Sequence, residues 1–237
     1  MSNIQSDPKI VVALDYAKAK EAHKMVAQLD PARCRLKVGK ELFTAEGPQF
    51  VEALIRRDFE VFLDLKFHDI PNTTAKACQV AANLGVWMVN VHASGGQKMM
   101  ASAREAIDQC GHQPILIAVT VLTSLQQSDL VQVGINATPA EQVSRLATLA
   151  EQSGMDGVVC SPQELAIVRQ QWPEACLVTP GIRPKWSQMG DQVRVMTPAE
   201  AIIHGSSYLV IGRPITGAKE PMVALERIEQ ELCSAGS

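Results

Sequence analysis

Three charged side chains, Asp64, Lys66 and Asp69, fall within six residues directly after an apolar run, Val61–Leu63. The apolar run predicts a buried strand, and residues two apart on a strand point to the same face. Asp64 and Lys66 are therefore expected to lie side by side where a strand ends. Charges in such a place lose solvation energy unless they are paired. An acid, an amine and a second acid at this spacing indicate a site that performs chemistry.

Short runs typical of β-strands alternate along the chain with longer segments whose apolar residues recur at helical spacing. Strands are predicted at Ile10–Leu14, Arg35–Val38, Val61–Leu65, Met88–Val91, Ile115–Val121, Gly157–Cys160, Leu177–Thr179 and Tyr208–Ile211. Helices are predicted at Ala19–Leu29, Pro48–Arg57, Thr73–Leu84, Gln97–Gln109, Pro139–Gln152, Pro162–Gln171 and Pro221–Leu232. This alternation indicates an α/β protein with a parallel sheet.

Eight units of about 30 residues each fit a single (β/α)8 TIM barrel, with residues 1–237 as one domain. A doubly wound open sheet is the main alternative for the same pattern. No Gly-x-Gly-x-x-Gly motif follows the first predicted strand, which disfavours the dinucleotide-binding version of that fold.

Polar residues lie at or just beyond the carboxyl ends of most of the predicted strands, where the active sites of (β/α)8 barrels lie. They are Asp15, Lys37, Asp64, Lys66, Asn90, His92, Thr123, Ser124, the run Thr179–Pro184 and the run Gly212–Pro214. Each one alone has a ready structural explanation. Their joint placement at a single rim is harder to explain by stability, and it predicts an active site there.

The first three strands contribute an alternating set of acids and amines, namely Asp15, Lys37, Asp64, Lys66 and Asp69. Opposite charges at short range hold one another ionised. Lys66 lies between two carboxylates and should stay protonated, which suits it to donate a proton rather than to form a Schiff base. A structural ion-pair network is the alternative interpretation of these residues.

The last two strands predict a phosphate site, because such sites in these barrels commonly form after strands 7 and 8. Pro180-Gly181 permits close approach of the backbone to a ligand. Gly212-Arg213 adds a guanidinium that can hold two phosphate oxygens. Gln192 lies on the loop between these strands, a position from which a loop can fold over a ligand.

Composition narrows the class of function and the location. The net charge is −3, from 22 basic and 25 acidic residues, which offers no overall attraction for nucleic acid or an acidic membrane. The first residues are polar, and no apolar run approaches the ~18 residues of a membrane span. The six cysteines include no Cys-x-x-Cys pair, so buried, reduced thiols in a cytoplasmic protein are expected.

These motifs give the chain a resemblance to bacterial-type orotidine 5′-phosphate decarboxylases that covers essentially its whole length. The motifs that carry it are Ala13–Asp15, Lys37–Gly39, Asp64–Thr73, Leu122–Ser124, Val178–Pro184, Gly190–Gln192 and Ile211–Thr216. The resemblance implies a homodimer of (β/α)8 barrels that converts orotidine 5′-phosphate to UMP and CO2, the last step of pyrimidine nucleotide synthesis. It implies neither a metal nor an organic cofactor.

The resemblance also implies roles for individual residues. Lys37, Asp64 and Lys66 would form the charged network of one subunit, while Asp69 and Thr73 would reach into the neighbouring subunit's site. The residues that would bind substrate are Asp15 and Lys37 at the ribose, Thr123 and Ser124 at the base, and Pro180, Arg183, Gln192, Gly212 and Arg213 at or near the phosphate.

The chemistry of this reaction explains the residue types. Loss of CO2 from C6 leaves electron density in an sp2 orbital that is not conjugated with the ring carbonyls. Lys66 would stabilise this charge and then protonate C6. Asp64 would lie near the departing carboxylate and disfavour it by like charge. Binding of the remote phosphate would supply energy to orient the base.

Three other functions stay open. An enzyme like 3-keto-gulonate 6-phosphate decarboxylase shares the Asp-x-Lys-x-x-Asp pattern but uses Mg²⁺, which the ammonium of Lys37 would repel. A metal-dependent pentose-phosphate epimerase would draw on His68 and His92. A non-catalytic barrel that binds nucleotide phosphates would keep Gly212-Arg213 without needing the acid–amine cluster.

Overall fold

The computed structural model describes residues 7–187 and 195–235. Within these ranges, eight parallel strands close into a barrel in the order of the chain. They are β1 (Ile10–Leu14), β2 (Arg35–Gly39), β3 (Val61–Phe67), β4 (Met88–His92), β5 (Ile115–Val119), β6 (Gly157–Val159), β7 (Cys176–Thr179) and β8 (Tyr208–Ile211). Closure is made by β8 against β1, where Val210 lies opposite Val11. The predicted (β/α)8 barrel is confirmed, and the open sheet is wrong.

Helices connect the strands and surround the barrel. They are α1 (Ala19–Val26), α2 (Lys40–Glu46), α3 (Pro48–Ile55), α4 (Pro71–Asn83), α5 (Gln97–Asp108), α6 (Gln127–Gln132), α7 (Pro139–Gln152), α8 (Leu165–Gln171), α9 (Pro198–Ile203), α10 (Arg213–Thr216) and α11 (Pro221–Ala235). Sequence signals mark some of the boundaries. Thr138 caps α7 by accepting from the N–H of Glu141, whose carboxylate accepts from the Thr138 N–H in return.

Alternation along the strands separates two apolar layers. Val12 and Leu63 belong to the large layer between the strands and the helices. Val11 and Phe62, one position away, belong to a smaller cluster inside the barrel. Each fully buried side chain of this size contributes about 1.5–3 kcal/mol of transfer free energy. Residues two apart on a strand point to the same face, so Asp64 points into the barrel as Phe62 does.

A cationic stack closes the amino end of the barrel. The guanidinium of Arg35 lies 4.1 Å from the ring centroid of Trp87 and 5.0 Å from that of Tyr208. It also forms ion pairs with Asp7 and Glu60, which satisfy a charge that is only 5% exposed. The pocket described below lies at the opposite, carboxyl end of the strands.

The structure bears on two sequence predictions, one about membrane spans and one about the state of the cysteines. Within residues 7–187 and 195–235, no helix has the length and apolar character needed to cross a membrane. All six cysteines lie within the described ranges and are unbridged. Cys34, Cys78 and Cys160 are buried as expected, but Cys233 is exposed, because it falls in the last turns of the terminal helix.

Candidate active site

A pocket at the carboxyl end of the barrel encloses a cavity of about 270 Å³. Apolar side chains from the barrel interior contribute to its lining, among them Phe62, Val119, Val159 and Val210. The predicted site residues that line it, all within the described part of the chain, are Asp15, Lys37, Asp64, Lys66, Thr123, Pro180, Arg183, Gly212 and Arg213. The fold thus brings residues from both ends of the sequence to one rim.

A chain of alternating charges crosses one side of this pocket. Nζ of Lys37 lies 3.2 Å from Oδ1 of Asp15 and 3.5 Å from Oδ2 of Asp64. Nζ of Lys66 lies 2.6 Å from Oδ1 of Asp64. The two lysines therefore occupy opposite oxygens of one buried carboxylate. Four of the five predicted acids and amines alternate in space, whereas Asp69 is not among the described residues that line the pocket.

Burial and charge act in opposite directions on Asp64, which is 9% exposed. Burial alone would raise the pKa of its carboxyl group. The positive charges of Lys37 and Lys66, with hydrogen bonds from Lys66 and Asn90, outweigh that effect and hold the pKa of Asp64 below 3.8. Asp64 is therefore a carboxylate at neutral pH.

The backbone between Asp64 and Lys66 differs from the regular strand that the spacing predicts. From Leu63 to Phe67, β3 advances four residues, whereas its partner β4 advances two, from Val89 to Val91. The extra residues form a bulge, and Lys66 takes a left-handed φ of +52°. A left-handed conformation costs a residue with a side chain about 1–2 kcal/mol. The two side chains meet as predicted, but a bulge rather than strand parity orients Lys66.

Sequence alone assigns no role to Asn90, one of the polar residues near the ends of the predicted strands. In the structure it is fully buried on β4 between Val89 and Val91. Its amide nitrogen donates to Oδ1 of Asp64 at 2.7 Å, and its oxygen accepts from the main-chain N–H of Lys66 at 2.8 Å. A polar side chain flanked by buried valines requires such partners, and this requirement was the available signal.

The opposite side of the pocket is built from the loops after β7 and β8. Gly181 has a φ of +81°, a conformation in which glycine avoids the penalty of a Cβ. The chain then passes Arg183, whose N–H donates to the carbonyl of Met196 at 2.9 Å. After β8, Gly212 leads into Arg213, the first residue of α10. Gln192, predicted for this side, lies outside the described residues.

Asp69, Thr73 and Ser124 are not among the described residues that line the pocket. Asp69 and Thr73 are exposed at the start of α4, and Oδ1 of Asp69 accepts from the N–H of Ile70 at 2.6 Å. Ser124 is also exposed, next to Thr123 on the pocket rim. For Asp69 and Thr73, this position leaves a role toward a second subunit as a prediction.

The two histidines considered as metal ligands form a stacked pair. The rings of His68 and His92 are 5.5 Å apart, and Nδ1 of His92 lies 2.6 Å from Oγ of Ser94. Burial, and after it electrostatic interaction with His68, Lys40 and Lys66, lowers the pKa of His92 from 6.5 to about 4. Within the described ranges, no group of three or more His, Cys, Asp or Glu side chains could hold a metal ion.

The closed barrel and the charged pocket at its carboxyl end define an enzyme of the (β/α)8-barrel class. Residues 8–228 match the orotidine 5′-phosphate decarboxylase / HUMPS family. The chain belongs to this family.

Similar proteins called orotidine 5′-phosphate decarboxylase match almost the whole chain. The protein from Hydrogenovibrio crunogenus is 57% identical over 97% of this chain and 98% of its own. That from Hahella chejuensis is 59% identical over 95% and 97% of the two chains. That from Vibrio cholerae is 58% identical over 96% and 99%.

Solved structures agree with the sequence relatives. The orotidine 5′-phosphate decarboxylase of Lactobacillus acidophilus superposes with a TM-score of 0.85 at 39% identity, covering 95% of this chain and 99% of the other. An uncharacterized conserved protein from Geobacillus kaustophilus gives a TM-score of 0.84 at 37% identity, with coverage of 94% and 99%.

Proposed function

We propose that this protein converts orotidine 5′-phosphate to UMP and CO2. The observation that carries the proposal is the ammonium of Lys66, held in the pocket 2.6 Å from Asp64, with Lys37 on the opposite oxygen of the same carboxylate. The family membership and the high identity to proteins that carry this activity in their names support the same conclusion.

In the proposed reaction, the bond between C6 and the carboxylate carbon breaks and CO2 departs. The bonding electron pair stays on C6, where the fixed positive charge of Lys66 stabilises it. Lys66 then transfers a proton from Nζ to C6, which completes UMP, and the resulting neutral amine takes a proton from solvent. A proton donor must also be held close to its acceptor, and the carboxylate of Asp64, 2.6 Å from Nζ, holds the Lys66 ammonium in the pocket.

Asp64 has two effects in this proposal. Its carboxylate orients Lys66 through the 2.6 Å contact. It also disfavours the substrate carboxylate, because two negative charges in a partly dry pocket repel each other more strongly than in water. This repulsion disappears when CO2 leaves. The ammonium of Lys37, 3.5 Å from the Asp64 carboxylate, partly offsets this negative charge. The pocket can therefore still admit an anionic substrate.

The rest of the pocket suits a nucleoside monophosphate. We assign Asp15 and Lys37 to the ribose hydroxyls, since their side chains meet beside the acid–amine cluster. We assign Thr123 and Ser124 to the base. The phosphate would be bound by Arg213, the Gly212 amide and Gln192, with Pro180 and Arg183 at the same side of the pocket. Every residue assigned here except Ser124 and Gln192 is among the described residues that line the pocket.

We further propose that the active form is a homodimer in which Asp69 and Thr73 complete the neighbouring subunit's site. Both are exposed and lie outside the pocket formed by the described residues of their own subunit. Ile70, between them, is 66% exposed, which is costly for a large apolar side chain unless a partner covers it. The proposed subunit is one domain comprising residues 1–237. The six cysteines form no disulfide, which favours a cytoplasmic location, where reducing conditions keep thiols unbridged.

A Mg²⁺-dependent reaction on a sugar phosphate is the competing proposal, and charge argues against it. A divalent cation at Asp64 would have to displace or lie beside two ammonium groups that already contact both carboxylate oxygens. At about 4 Å, like charges repel by several kcal/mol in a partly buried site. The arrangement is better suited to an anionic substrate than to a metal ion.

The test uses purified protein treated with EDTA and then given orotidine 5′-phosphate, with loss of substrate absorbance as the readout. We expect turnover without added metal and equimolar formation of UMP. The Lys66→Ala variant serves as the inactive control. An intact substrate spectrum with well-folded protein would refute the proposal. Turnover of 3-keto-gulonate 6-phosphate that appears only when Mg²⁺ is restored would support the competitor.

A further inference from the structure

The side chain of Asn90 joins the two residues at the centre of the pocket. Both ends of its amide are used, the nitrogen on the Asp64 carboxylate at 2.7 Å and the oxygen on the Lys66 N–H at 2.8 Å. The reverse orientation of the amide would set an oxygen against a carboxylate and an NH2 group against an N–H. The neighbours therefore determine the orientation.

Asn90 contributes to the shape of the bulge that orients Lys66. The left-handed φ of +52° at Lys66 is an unfavourable conformation, which persists only where surrounding contacts hold it. The hydrogen bond from the Lys66 N–H to Asn90 is such a contact, and it joins the bulged strand β3 to the regular strand β4. Asn90 is 0% exposed, so water does not compete for this bond.

Asn90 also sets the rotation of the Asp64 carboxylate. Oδ1 of Asp64 accepts from both the Asn90 amide and the Lys66 ammonium, which leaves Oδ2 to face Lys37. Without the amide donor, the carboxylate could rotate within its lysine pair. One side chain therefore controls both the backbone of Lys66 and the direction of the charge that attracts its ammonium.

We propose that Asn90 is a positioning residue that fixes the ammonium of Lys66 relative to the reacting carbon of the substrate. The proposal rests on the proposed function of Lys66 as proton donor. Asn90 is not among the described residues that line the pocket, so it acts through Asp64 and Lys66 and not by touching the substrate.

The first test compares Asn90→Ala with the parent enzyme in steady-state kinetics and in UMP binding. We expect kcat to fall about 10–100-fold, the range for losing a hydrogen bond to a charged group, while KM and UMP affinity change less than about threefold. A kcat within threefold of the parent would overturn the proposal.

A matched control separates positioning from general damage to the barrel. Ser206→Ala removes another buried polar side chain, one that bonds Thr179 at 2.7 Å and the Tyr208 carbonyl at 3.1 Å without lining the pocket. We expect it to lower thermal stability and leave kcat unchanged. A loss of kcat in Ser206→Ala as large as that in Asn90→Ala would refute a specific role for Asn90.

Asn90→Asp provides a second variant of the same shape, useful if Asn90→Ala does not fold. The introduced carboxylate still accepts from the Lys66 N–H but repels Asp64. When protonated at lower pH, it can donate to Asp64 as the amide does. The ratio of variant to parent kcat should therefore rise as the pH falls. A ratio that is independent of pH, or that falls with pH, would contradict the proposal.

A crystal structure of Asn90→Ala tests positioning independently of turnover. We expect Lys66 to leave its left-handed conformation and the contact between Lys66 and Asp64 to lengthen beyond 2.6 Å. An unchanged Lys66 would overturn the proposal even if the parent enzyme did not decarboxylate orotidine 5′-phosphate. If the parent enzyme were inactive but Lys66 were displaced in the variant, only the proposed function would be refuted. The positioning role of Asn90 would stand.

Discussion

The ammonium of Lys66 lies 2.6 Å from the carboxylate of Asp64, two residues earlier on a strand that bulges between them. A hydrogen bond of this length between opposite charges is a strong one, and the pair is partly shielded from water. The carboxylate holds the Lys66 ammonium in the pocket. The same contact therefore supplies the orientation that a proton donor needs.

Replacement of Lys66 by alanine should abolish turnover and leave ligand binding measurable. The variant loses both the charge that stabilises C6 and the proton that completes the product, so kcat should fall by at least ~10³-fold. Phosphate and ribose contacts are expected to retain UMP, as measured by calorimetry. Lys24→Ala, which removes an exposed lysine on α1, should retain the parent kcat. Near-parent turnover by Lys66→Ala would exclude it as the proton donor.

The half-buried imidazole of His92 predicts a loss of stability in mild acid. Its folded-state pKa of about 4 lies below the ordinary 6.5, so the unfolded chain takes up the proton first as the pH falls. The stabilisation is complete above about pH 6.5 and is lost as the pH falls toward about 4. After allowance for partial solvent screening, the effect on the unfolding free energy is about 1 kcal/mol.

Urea unfolding of the parent and of His92→Gln at about pH 7.5 and about pH 5 checks this sign. The parent should lose more unfolding free energy between the two pH values than the variant does. Measuring the change within each protein removes any constant cost of the substitution. Equal losses in the two proteins would show that His92 does not titrate differently on unfolding.

The fold and most of the pocket followed from local patterns. Apolar runs such as Ile10–Leu14 and Tyr208–Ile211 are strands within the predicted bounds because a buried parallel strand must be almost entirely apolar. The pocket residues could be predicted for a related reason. A charged residue such as Lys37 in an apolar strand is too costly to bury without a partner, so it points to a site.

The bulge could not be predicted from the same patterns, and burial of Asn90 predicts that it has partners without identifying them. Strand parity already explained why Asp64 and Lys66 share a face, and the register of β3 against β4 is a non-local property. Short elements were also missed, among them α2 and α10, because one or two helical turns carry too little periodicity. Neither the bulge nor these turns changed which residues line the pocket.

Mixed dimers test whether two subunits share each site. Asp69→Ala and Lys66→Ala should each be inactive. Asp69→Ala removes the residue that would complete the partner's site, and Lys66→Ala removes the proton donor. A mixed dimer has one site with both residues intact, so random exchange in an equal mixture should restore about a quarter of parent activity. The assay follows turnover after mixing, with subunit exchange confirmed by mass spectrometry of tagged chains. Proven exchange without recovery would mean that Asp69 acts within its own subunit or outside the site.

Replacement of Arg213 by alanine should weaken substrate binding through the phosphate. Arg213 lines the pocket directly after Gly212, and a guanidinium can donate two hydrogen bonds to one phosphate. Loss of such charged hydrogen bonds should raise KM about 10–100-fold.

Orotidine, which lacks the phosphate, should be turned over equally slowly by the parent and by Arg213→Ala. A comparison of the two substrates therefore separates phosphate recognition from chemistry. Arg56→Ala, an exposed change directly after α3, should leave both substrates unaffected. If Arg213→Ala slowed orotidine and orotidine 5′-phosphate by the same factor, Arg213 would act on the base or on Lys66 instead of the phosphate.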